Sequence, residues 1–343
     1  MKVLYIGQYT LGTTSRMRGE ALKAIIRPNI FEVIDTHVPF YKSHVLWRSF
    51  AFRYKKGPVV NRINTFVLSK LSGTYDVIWV DKAIFISPQV TKQLKSLTKK
   101  LIHYTPDTAF KGNRSKCFYR SLSFYDFVFT TKSFEKADYL KYIKKEKLMF
   151  IPQGFDKNVH YPRHTFQQKE RKVLFIGLYE PSRGNVIKAL LNHNIKVEIS
   201  GKNWMSFINA QNSANLKFLG EGLFNDAYAK AISSAHLSLG LVSKRFPELH
   251  TTRTFEIPAC GSVLVTERNT ETTQFFNEDE VLFFSNEEDM VDKISKLLLD
   301  DEALQQIAQK GHHRATTSGY DYQSQLLHIC TFTGLLSNAN TNT

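Results

Sequence analysis

The chain has 343 residues, of which 42% are hydrophobic and 22% charged, a composition typical of a folded globular protein with two domains. Its apolar runs are too short to cross a membrane as a helix, and the first residues lack the apolar region of a signal peptide. Three widely spaced cysteines, Cys117, Cys260 and Cys330, indicate neither a disulfide framework nor a zinc site. We therefore expect a cytoplasmic protein.

Positive charge is concentrated in the first half of the chain. Residues 1–155 contain 27 Lys and Arg against 10 Asp and Glu, whereas the remaining residues are close to neutral. This asymmetry is compatible with an anionic membrane surface, a polyanionic acceptor or nucleic acid as partner. Residues 47–56 interleave aromatic and basic side chains, as interfacial membrane segments do. The alternative is a solvated basic face above core aromatics.

The first half alternates short apolar strands with helices. The predicted strands are Val3–Gly7, Phe31–Asp35, Asp76–Val80, Leu101–Tyr104, Phe127–Thr130 and Leu148–Ile151. The predicted helices are Ser15–Ile26, 59–72, Pro88–Leu97 and Ser133–Tyr142. This alternation is typical of a parallel sheet with helices on both faces.

The pattern then begins again at residue 172, where KVLFIG repeats the KVLYIG of residues 2–7. The predicted strands are 172–177, Lys196–Ile199, Leu216–Leu219, Leu237–Leu241, Ser262–Thr266 and Val281–Phe284. The predicted helices are 184–192, Asn225–Ser233, 287–299 and 301–316.

We therefore predict an α/β fold of two tandem Rossmann-like, doubly wound parallel-sheet domains that face a cleft. The first domain is residues 1–155, with acceptor binding as its expected task. The second is residues 156–318, which would bind a nucleotide sugar. Residues 319–343 form a C-terminal segment that we expect to pack back toward the first domain and to end in a disordered tail.

Loops at strand ends supply the candidate site residues of the first half. The loop after the first strand lacks both G-x-G-x-x-G and the P-loop pattern, so nicotinamide, flavin and P-loop nucleotide sites are unsupported. Gly12 could let a ligand approach a helix N-terminus, with Arg16 adding charge, or this is an ordinary capped loop. His103 and Asp107 end another strand, where either could bind an acceptor hydroxyl or remove its proton. A buried structural role is the alternative for His103.

In the second half, Glu248 and Glu256 stand eight residues apart around Arg253. Thr251 or Thr252 would cap a short helix that ends at Gly261, and the helix N-terminus would suit a phosphate. Glu256 would accept hydrogen bonds from ribose hydroxyls, and Glu248 from a second hydroxylated group. A surface helix with two solvated acids is the alternative.

Basic residues in neighbouring loops could complete a pyrophosphate site. Arg183 follows the first strand of the second half and could make bidentate contacts. Lys244 and Arg245, after strand 237–241, add positive charge near the same strand ends. No D-x-D triplet and no His/Cys cluster with metal-ligand spacing occurs, so we expect no metal and no cofactor beyond the donor substrate.

Three stretches of the second half, RTFEIPACG at 253–261 with VLVTE at 263–267, EVLFF at 280–284 and IAQKG at 307–311, closely resemble CgeB-like (spore maturation type) glycosyltransferases. SRMRGE at 15–20 and IPQGFD at 151–156 are similar to the same group. The resemblance implies a GT-B fold and an E-x7-E pair of the retaining type. Glu256 would then hold the ribose, Glu248 the transferred sugar, and Arg253 with the 251–253 amides the phosphates. One departure is LHT at 249–251, where the best-known E-x7-E enzymes have a Gly-rich segment.

These observations lead to the hypothesis of a metal-independent, retaining hexosyltransferase that moves a sugar from a nucleotide-diphosphate sugar to a glycan, lipid-linked or other cell-envelope acceptor. It would be cytoplasmic, with peripheral contact to the inner face of the cell membrane. Two alternatives are a catalytically inactive sugar-nucleotide-binding protein and a nucleic-acid-binding protein. No recognised motif indicates specific nucleic-acid binding.

Overall fold

The computed structural model describes residues 1–336 and divides the chain into two compact units. The first unit is Met1–Pro152 together with the C-terminal segment that begins at Tyr322, and the second is Gln153–Asp321. The predicted tail at 337–343 lies outside the described residues. No helix among residues 1–336 is long and apolar enough to cross a bilayer.

The first unit is built on a sheet of six parallel strands in the order β2-β1-β3-β4-β5-β6. The strands are β1 Lys2–Gly7, β2 Ile30–Asp35, β3 Tyr75–Asp81, β4 Thr98–Thr105, β5 Phe127–Thr130 and β6 Leu148–Phe150. The helices are α1 Thr14–Ile26, α2 His37–Tyr41, α3 Val45–Tyr54, α4 Pro58–Ser69, α5 Pro88–Ser96, α6 Lys116–Ser121, α7 Lys136–Tyr139 and, from the C-terminal segment, α15 Tyr322–Phe332. Short 3-10 turns occur at Leu122–Phe124, Ser133–Glu135 and Lys145–Lys147.

The second unit has a parallel sheet in the order β12-β11-β10-β7-β8-β9. Its strands are β7 Glu170–Ile176, β8 Val197–Ser200, β9 Leu216–Phe218, β10 Ala235–Leu239, β11 Val263–Glu267 and β12 Leu282–Phe284. Its helices are α8 Pro181–Asn192, α9 Met205–Gln211, α10 Asn225–Ser234, α11 Arg253–Ala259, α12 Thr272–Phe275, α13 Glu287–Leu297 and α14 Asp301–Thr317. A 3-10 turn at Phe166–Gln168 precedes β7.

Both sheets are buried on their two faces, because successive strand residues enter different cores. In β7, Val173 and Phe175 pack in one hydrophobic cluster and Leu174 in another. In β1, the neighbouring residues Leu4 and Tyr5 likewise pack in two different hydrophobic clusters. Burial on both faces explains why these strands are continuous apolar runs in the sequence. The prediction of an α/β fold with parallel sheets is confirmed.

Side-chain caps define several helix starts. The hydroxyl of Thr13 accepts from the amide of Arg16 at the start of α1, and Ser87 and Asn286 cap α5 and α13 in the same manner. Each cap satisfies an amide that the helix itself leaves unpaired. The helix predicted over Ser133–Tyr142 is shorter in the structure, where a 3-10 turn runs into the single turn of α7.

Six helices were not predicted: α2, α3, α6, α9, α12 and α15. Five of them have ten residues or fewer, which is too short for helical periodicity to stand out in a sequence. The exception is α15, which packs on α1 through Tyr322, Leu326 and Ile329, in a cluster that includes Leu22. In the sequence, the apolar residues of this segment are compatible with a strand as well as with a helix, and only the tertiary contact with α1 distinguishes the two.

Candidate functional site

The candidate site lies at the carboxyl end of the second sheet, where β7 and β10 are neighbours. The chain proceeds from β7 to β8 on one side and later returns to β10 on the other, so the strand order reverses between them. Open parallel sheets bind ligands at such a switch point. The loop after β7 leads into α8 and the loop after β10 leads to α11, and these two segments carry the predicted residues of the second half.

Arg183, in the first turn of α8, is 6% exposed. Its Nη1 donates to the carbonyl oxygen of Leu178 at 2.8 Å and lies 3.3 Å from Glu180 Oε1. Burial and the positive charge of Arg253 lower the pKa of Arg183, although Glu180 and Glu248 act in the opposite direction. A bound anion would stabilise this buried charge.

The side chain of Arg253, the first residue of α11, makes no hydrogen bond or ion pair with the part of the chain that the structure describes. Its Nε is buried without an acceptor, and so is the Nε of Arg183. Buried donors without acceptors cost free energy. A guanidinium group binds phosphate oxygens in a bidentate manner, so these two arginines together suit a pyrophosphate.

The loop after β10 lines an open pocket of about 440 Å³ and contributes Lys244, Arg245 and Glu248 to its walls. Lys244 is already engaged in an ion pair with Glu267. Glu248 and Arg245 are close enough to Arg183 to affect its pKa in opposite directions. The structure thus brings Arg245 and Glu248 to the two partly unsatisfied arginines, whereas Lys244 has another partner.

Glu256 lies one turn into α11 and is 5% exposed. Its Oε2 accepts hydrogen bonds from the hydroxyl of Tyr228 at 2.6 Å and from that of Thr252 at 3.0 Å. Its Oε1 lies 3.7 Å from Nε2 of His160 and accepts no hydrogen bond from residues 1–336. Burial and the adjacent carboxylate raise the pKa of Tyr228 well above its ordinary value. One oxygen of Glu256 therefore anchors α11, and the other has spare acceptor capacity.

The two threonines before α11 act differently from the predicted caps. Thr252 occupies the N-cap position, but its backbone is already helical and its hydroxyl bonds to Glu256 rather than to an amide. The amide of Thr251 donates to Oγ1 of Thr254 at 3.2 Å, and Oγ1 of Thr251 is buried without a hydrogen-bond partner among the described residues. Gly261 follows the helix with a φ of 75°, the left-handed conformation expected after a helix end.

His250 was not identified as important from the sequence, yet it holds this segment in place. Its Nε2 accepts a hydrogen bond from the amide of Gln153 at 2.9 Å, and its Nδ1 pairs with Glu271. Asn269 Nδ2 donates to the carbonyl oxygen of Leu249 at 2.8 Å. These contacts give the segment after Glu248 a fixed path without the glycines expected there. No sequence pattern could reveal them, because Glu271 is 21 residues away.

Gly12 and Arg16 lie at the switch point of the first sheet, in the connection from β1 to α1. Gly12 has a φ of 84°, a left-handed conformation that glycine adopts without strain. The guanidinium of Arg16 lies over the ring of Tyr9 and 3.8 Å from Glu20 Oε1. Arg16 therefore has partners within α1 and its preceding loop.

His103 and Asp107 occupy different environments in the first unit. His103 is 1% exposed, packs against Phe118 and Tyr125, and has Nδ1 3.1 Å from the carbonyl oxygen of Val80. Burial lowers its pKa to about 4. These are the surroundings of a core histidine and give it no access to a hydroxyl substrate.

Asp107 is partly exposed and forms an ion pair with Lys82. Burial raises the pKa of Asp107, but the charge and hydrogen bond of Lys82 outweigh it and bring the pKa below its ordinary value. The side chain is therefore a weak base, and it is available for hydrogen bonding to a ligand.

A buried ion pair at the end of β3 was also missed from the sequence. Arg18 Nε and Nη2 donate to the two carboxylate oxygens of Asp81 at 2.9 and 3.0 Å, and the hydroxyl of Tyr5 donates to the same carboxylate at 2.9 Å. The Arg18 guanidinium also lies over the ring of Tyr104. This buried pair joins α1 to the sheet.

Within residues 1–336, no group of three or more His, Cys, Asp or Glu side chains is arranged to hold a metal ion. The three cysteines are free thiols. The predicted absence of a metal remains a prediction.

A family model described as "Glycosyl transferase-like" matches residues 183–331, a segment that contains most of α8, all of α11 and both glutamates. No curated protein matches the sequence.

Several solved structures are similar to this chain over nearly its whole length. Anabaena HepE in complex with UDP and glucose has a TM-score of 0.68 at 15% identity and covers 98% of this chain and 100% of its own. Sucrose-phosphate synthase from Thermosynechococcus elongatus has a TM-score of 0.67 at 14% identity and covers 99% and 100%. A glycosyltransferase from Rickettsia africae has a TM-score of 0.65 at 12% identity and covers 98% and 99%. The chain therefore has the GT-B fold, and its residues 183–331 match a family model described as glycosyl transferase-like.

Proposed function

We propose that the protein is a glycosyltransferase that transfers a sugar from a nucleotide-diphosphate sugar. The observation that carries this proposal is the arginine pair at the switch point of the second sheet. Arg183 and Arg253 lie close enough to repel each other, and each has a buried Nε without an acceptor among the described residues. A free protein keeps such an arrangement at a cost in stability, and a diphosphate would remove that cost.

The remaining donor contacts follow from the same segment. Ribose hydroxyls would donate to Oε1 of Glu256, the oxygen that accepts no hydrogen bond from residues 1–336. Glu248, in the pocket after β10, would contact the transferred sugar, while Arg245 and the amides at the start of α11 would add to the phosphate contacts. Charge developing on the departing diphosphate would be stabilised by the arginines, which is why we propose transfer without a metal.

The first donor to test is a UDP-sugar. Two of the similar structures are of Anabaena HepE with UDP and with UDP-glucose, which motivates the choice of nucleotide. We further propose a CgeB-like enzyme of hexosyltransferase type that retains the anomeric configuration, on the resemblance around residues 253–261. NMR of the product would show which anomer is formed.

The acceptor would be a glycan, a lipid-linked or another cell-envelope molecule, bound by the basic first unit. Within that unit, Asp107, which is paired with Lys82, is the side chain that we propose binds an acceptor hydroxyl. The protein would act in the cytoplasm, with peripheral contact at the inner face of the membrane.

The decisive experiment measures UDP binding by calorimetry, followed by UDP release from UDP-sugars with and without acceptor glycans. Binding with turnover that persists in the presence of EDTA supports the full proposal. Binding without turnover on any donor or acceptor would instead favour an inactive sugar-nucleotide-binding protein. No binding of any nucleotide diphosphate or sugar nucleotide by the folded protein would refute both.

A further inference from the structure

The α2–α3 region of the first unit exposes an unusual amount of apolar surface. Five side chains of α3, Val45, Leu46, Trp47, Phe52 and Tyr54, are each more than half exposed, and Leu46 is 72% exposed. On α2, Val38 and Tyr41 are exposed as well. We call these seven residues the α3 surface. Exposed apolar patches of this kind mark sites of interaction with another molecule.

The reason for this exposure is that α3 packs on its unit through a narrow side. Within α3 only Ala51 is buried, and it joins the core beside Val59 and Ile63 of α4. Trp47 and Tyr54 contact Phe50 of the same helix, with ring centroids 6.0 and 4.8 Å apart. The aromatic side chains are therefore held by their own helix and are not covered by the described part of the chain.

The chain segment that carries the α3 surface has basic but no acidic residues. Between Asp35 and Asp76 the sequence has no acidic residue, and it has seven basic ones: Lys42, Arg48, Arg53, Lys55, Lys56, Arg62 and Lys70. Of these, Lys42, Arg53 and Lys56 are exposed next to the apolar side chains. A surface with this charge requires an anionic partner.

Apolar and cationic groups on one short helix match a bilayer with anionic headgroups. Tryptophan and tyrosine prefer the membrane interface, aliphatic side chains enter the acyl boundary, and Lys and Arg reach the headgroup phosphates. Nucleic acid fits less well, because the aliphatic Val45 and Leu46 cannot stack on bases as aromatic rings do. Pairing of two α3 surfaces fits less well too, because both would carry the same positive charge.

We propose that the α3 surface docks the protein on anionic phospholipid membranes by inserting Leu46 and Trp47 at the interface. The helix α3 is thus the element that contacts the membrane, and this contact does not depend on the donor site of the second unit. It also places the first unit, the one expected to bind the acceptor, at the surface where lipid-linked molecules reside.

Tryptophan fluorescence can test this directly. The chain has three tryptophans, and Trp79 and Trp204 are fully buried, so Trp47 alone can change its solvent contact. Vesicles of phosphatidylcholine with phosphatidylglycerol should shift the emission to the blue and sediment with the protein, and added salt should weaken the binding. Vesicles of phosphatidylcholine alone should do neither. Trp47→Phe should keep sedimentation and lose the shift.

Variants separate the apolar from the electrostatic contribution. Leu46→Ser with Trp47→Ser should abolish binding. Arg53→Gln with Lys56→Gln should weaken it about 25-fold, since each cation near an anionic surface contributes roughly fivefold. Matched controls are Leu299→Ser and the pair Lys188→Gln and Lys196→Gln, which alter exposed residues of the second unit and should bind vesicles like the original chain.

All these residues are exposed, so thermal unfolding should be unchanged, and calorimetry with UDP should give the same affinity in every variant. Failure of the vesicle assay would then leave the donor site untouched. Four results would overturn the proposal: equal behaviour with neutral and anionic vesicles, no blue shift with bound vesicles, self-association that depends on Leu46, or a Trp47 response to nucleic acid but not to lipid.

Discussion

Arg253→Gln is the substitution that best tests the donor site, because Arg253 has no intramolecular hydrogen bond or ion pair among the described residues. Most substitutions of a buried polar side chain destabilise a protein by removing a contact. Here the lost guanidinium makes no hydrogen bond or ion pair within residues 1–336, and its charge acts on Arg183 and on Tyr228, lowering the pKa of Arg183 and opposing the rise in that of Tyr228. We expect the free energy of unfolding to change by less than about 0.5 kcal/mol, or to rise.

The effect on binding should be much larger. A hydrogen bond from a charged donor contributes about 1.5–3 kcal/mol, and each 1.4 kcal/mol is about tenfold in affinity. Loss of one guanidinium contact to the diphosphate should therefore raise the Kd for UDP roughly 10- to 150-fold. The result would be a protein that is as stable as the original and binds its ligand poorly.

Calorimetry with UDP and thermal unfolding without ligand measure the two quantities separately. Arg268→Gln is a suitable control, since Arg268 is an exposed cation of the same unit paired with Glu278. It should leave UDP affinity unchanged. Unaltered affinity in Arg253→Gln would refute the placement of the diphosphate, and a clear loss of stability would refute the claim that Arg253 lacks a structural partner.

Three further predictions concern buried groups. Glu256→Gln should keep the contact with Tyr228 and lower the affinity for UDP about tenfold. Glu256→Ala should in addition lower the free energy of unfolding in denaturant by about 1–3 kcal/mol, because the hydroxyl of Tyr228 loses its acceptor. Equal stability of the two variants would contradict this. His250→Ala should destabilise the protein by about 2–4 kcal/mol in the same assay, since the amide of Gln153 and the carboxylate of Glu271 each lose a partner. An unchanged denaturation midpoint would show that these two contacts of His250 do not stabilise the fold. His103 has a pKa of about 4 when folded and about 6.5 when unfolded, so the unfolded chain binds the extra proton between these values. The contribution of neutral His103 to the free energy of unfolding is fully present above about pH 6.5, and it should be lost toward pH 4 at up to about 1.4 kcal/mol per pH unit. His103→Leu should remove that part of the pH dependence. Identical slopes in the two proteins would mean that His103 is protonated in the folded state.

The short helices and the loops show the limit of reasoning from local pattern. Continuous apolar runs such as Val77–Val80 identify strands because both sheet faces are buried, and the strand bounds of the prediction differ from the structure by at most three residues. For α3, the sequence has mixed aromatic and basic residues with no clear period. Its helix packs on α4 through Ala51. No local sequence pattern indicates that these two segments are in contact.

In the donor site, too, some features follow from the local sequence and others only from the tertiary structure. Glu248, Arg253 and Glu256 were identified by their spacing, since eight residues along a loop and helix are a local property. That Arg183 approaches Arg253 could only be expected in outline, because it requires β7 and β10 to be neighbours although some 60 residues separate them. Whether a buried nitrogen has an acceptor depends on every atom around it, and no motif carries that information.

The sequence by itself determined the two α/β halves, the concentration of positive charge in the first of them, and the glutamate–arginine segment of the second. These follow from composition and periodicity, which act over a few residues at a time. The tertiary structure alone decided that His103 belongs to a core, that Glu256 is held by Tyr228, and that two arginines repel each other, each with an Nε that has no acceptor among the described residues. The physical reason is that pKa, burial and hydrogen bonding depend on neighbours in space, and strand order brings those neighbours together from distant parts of the chain.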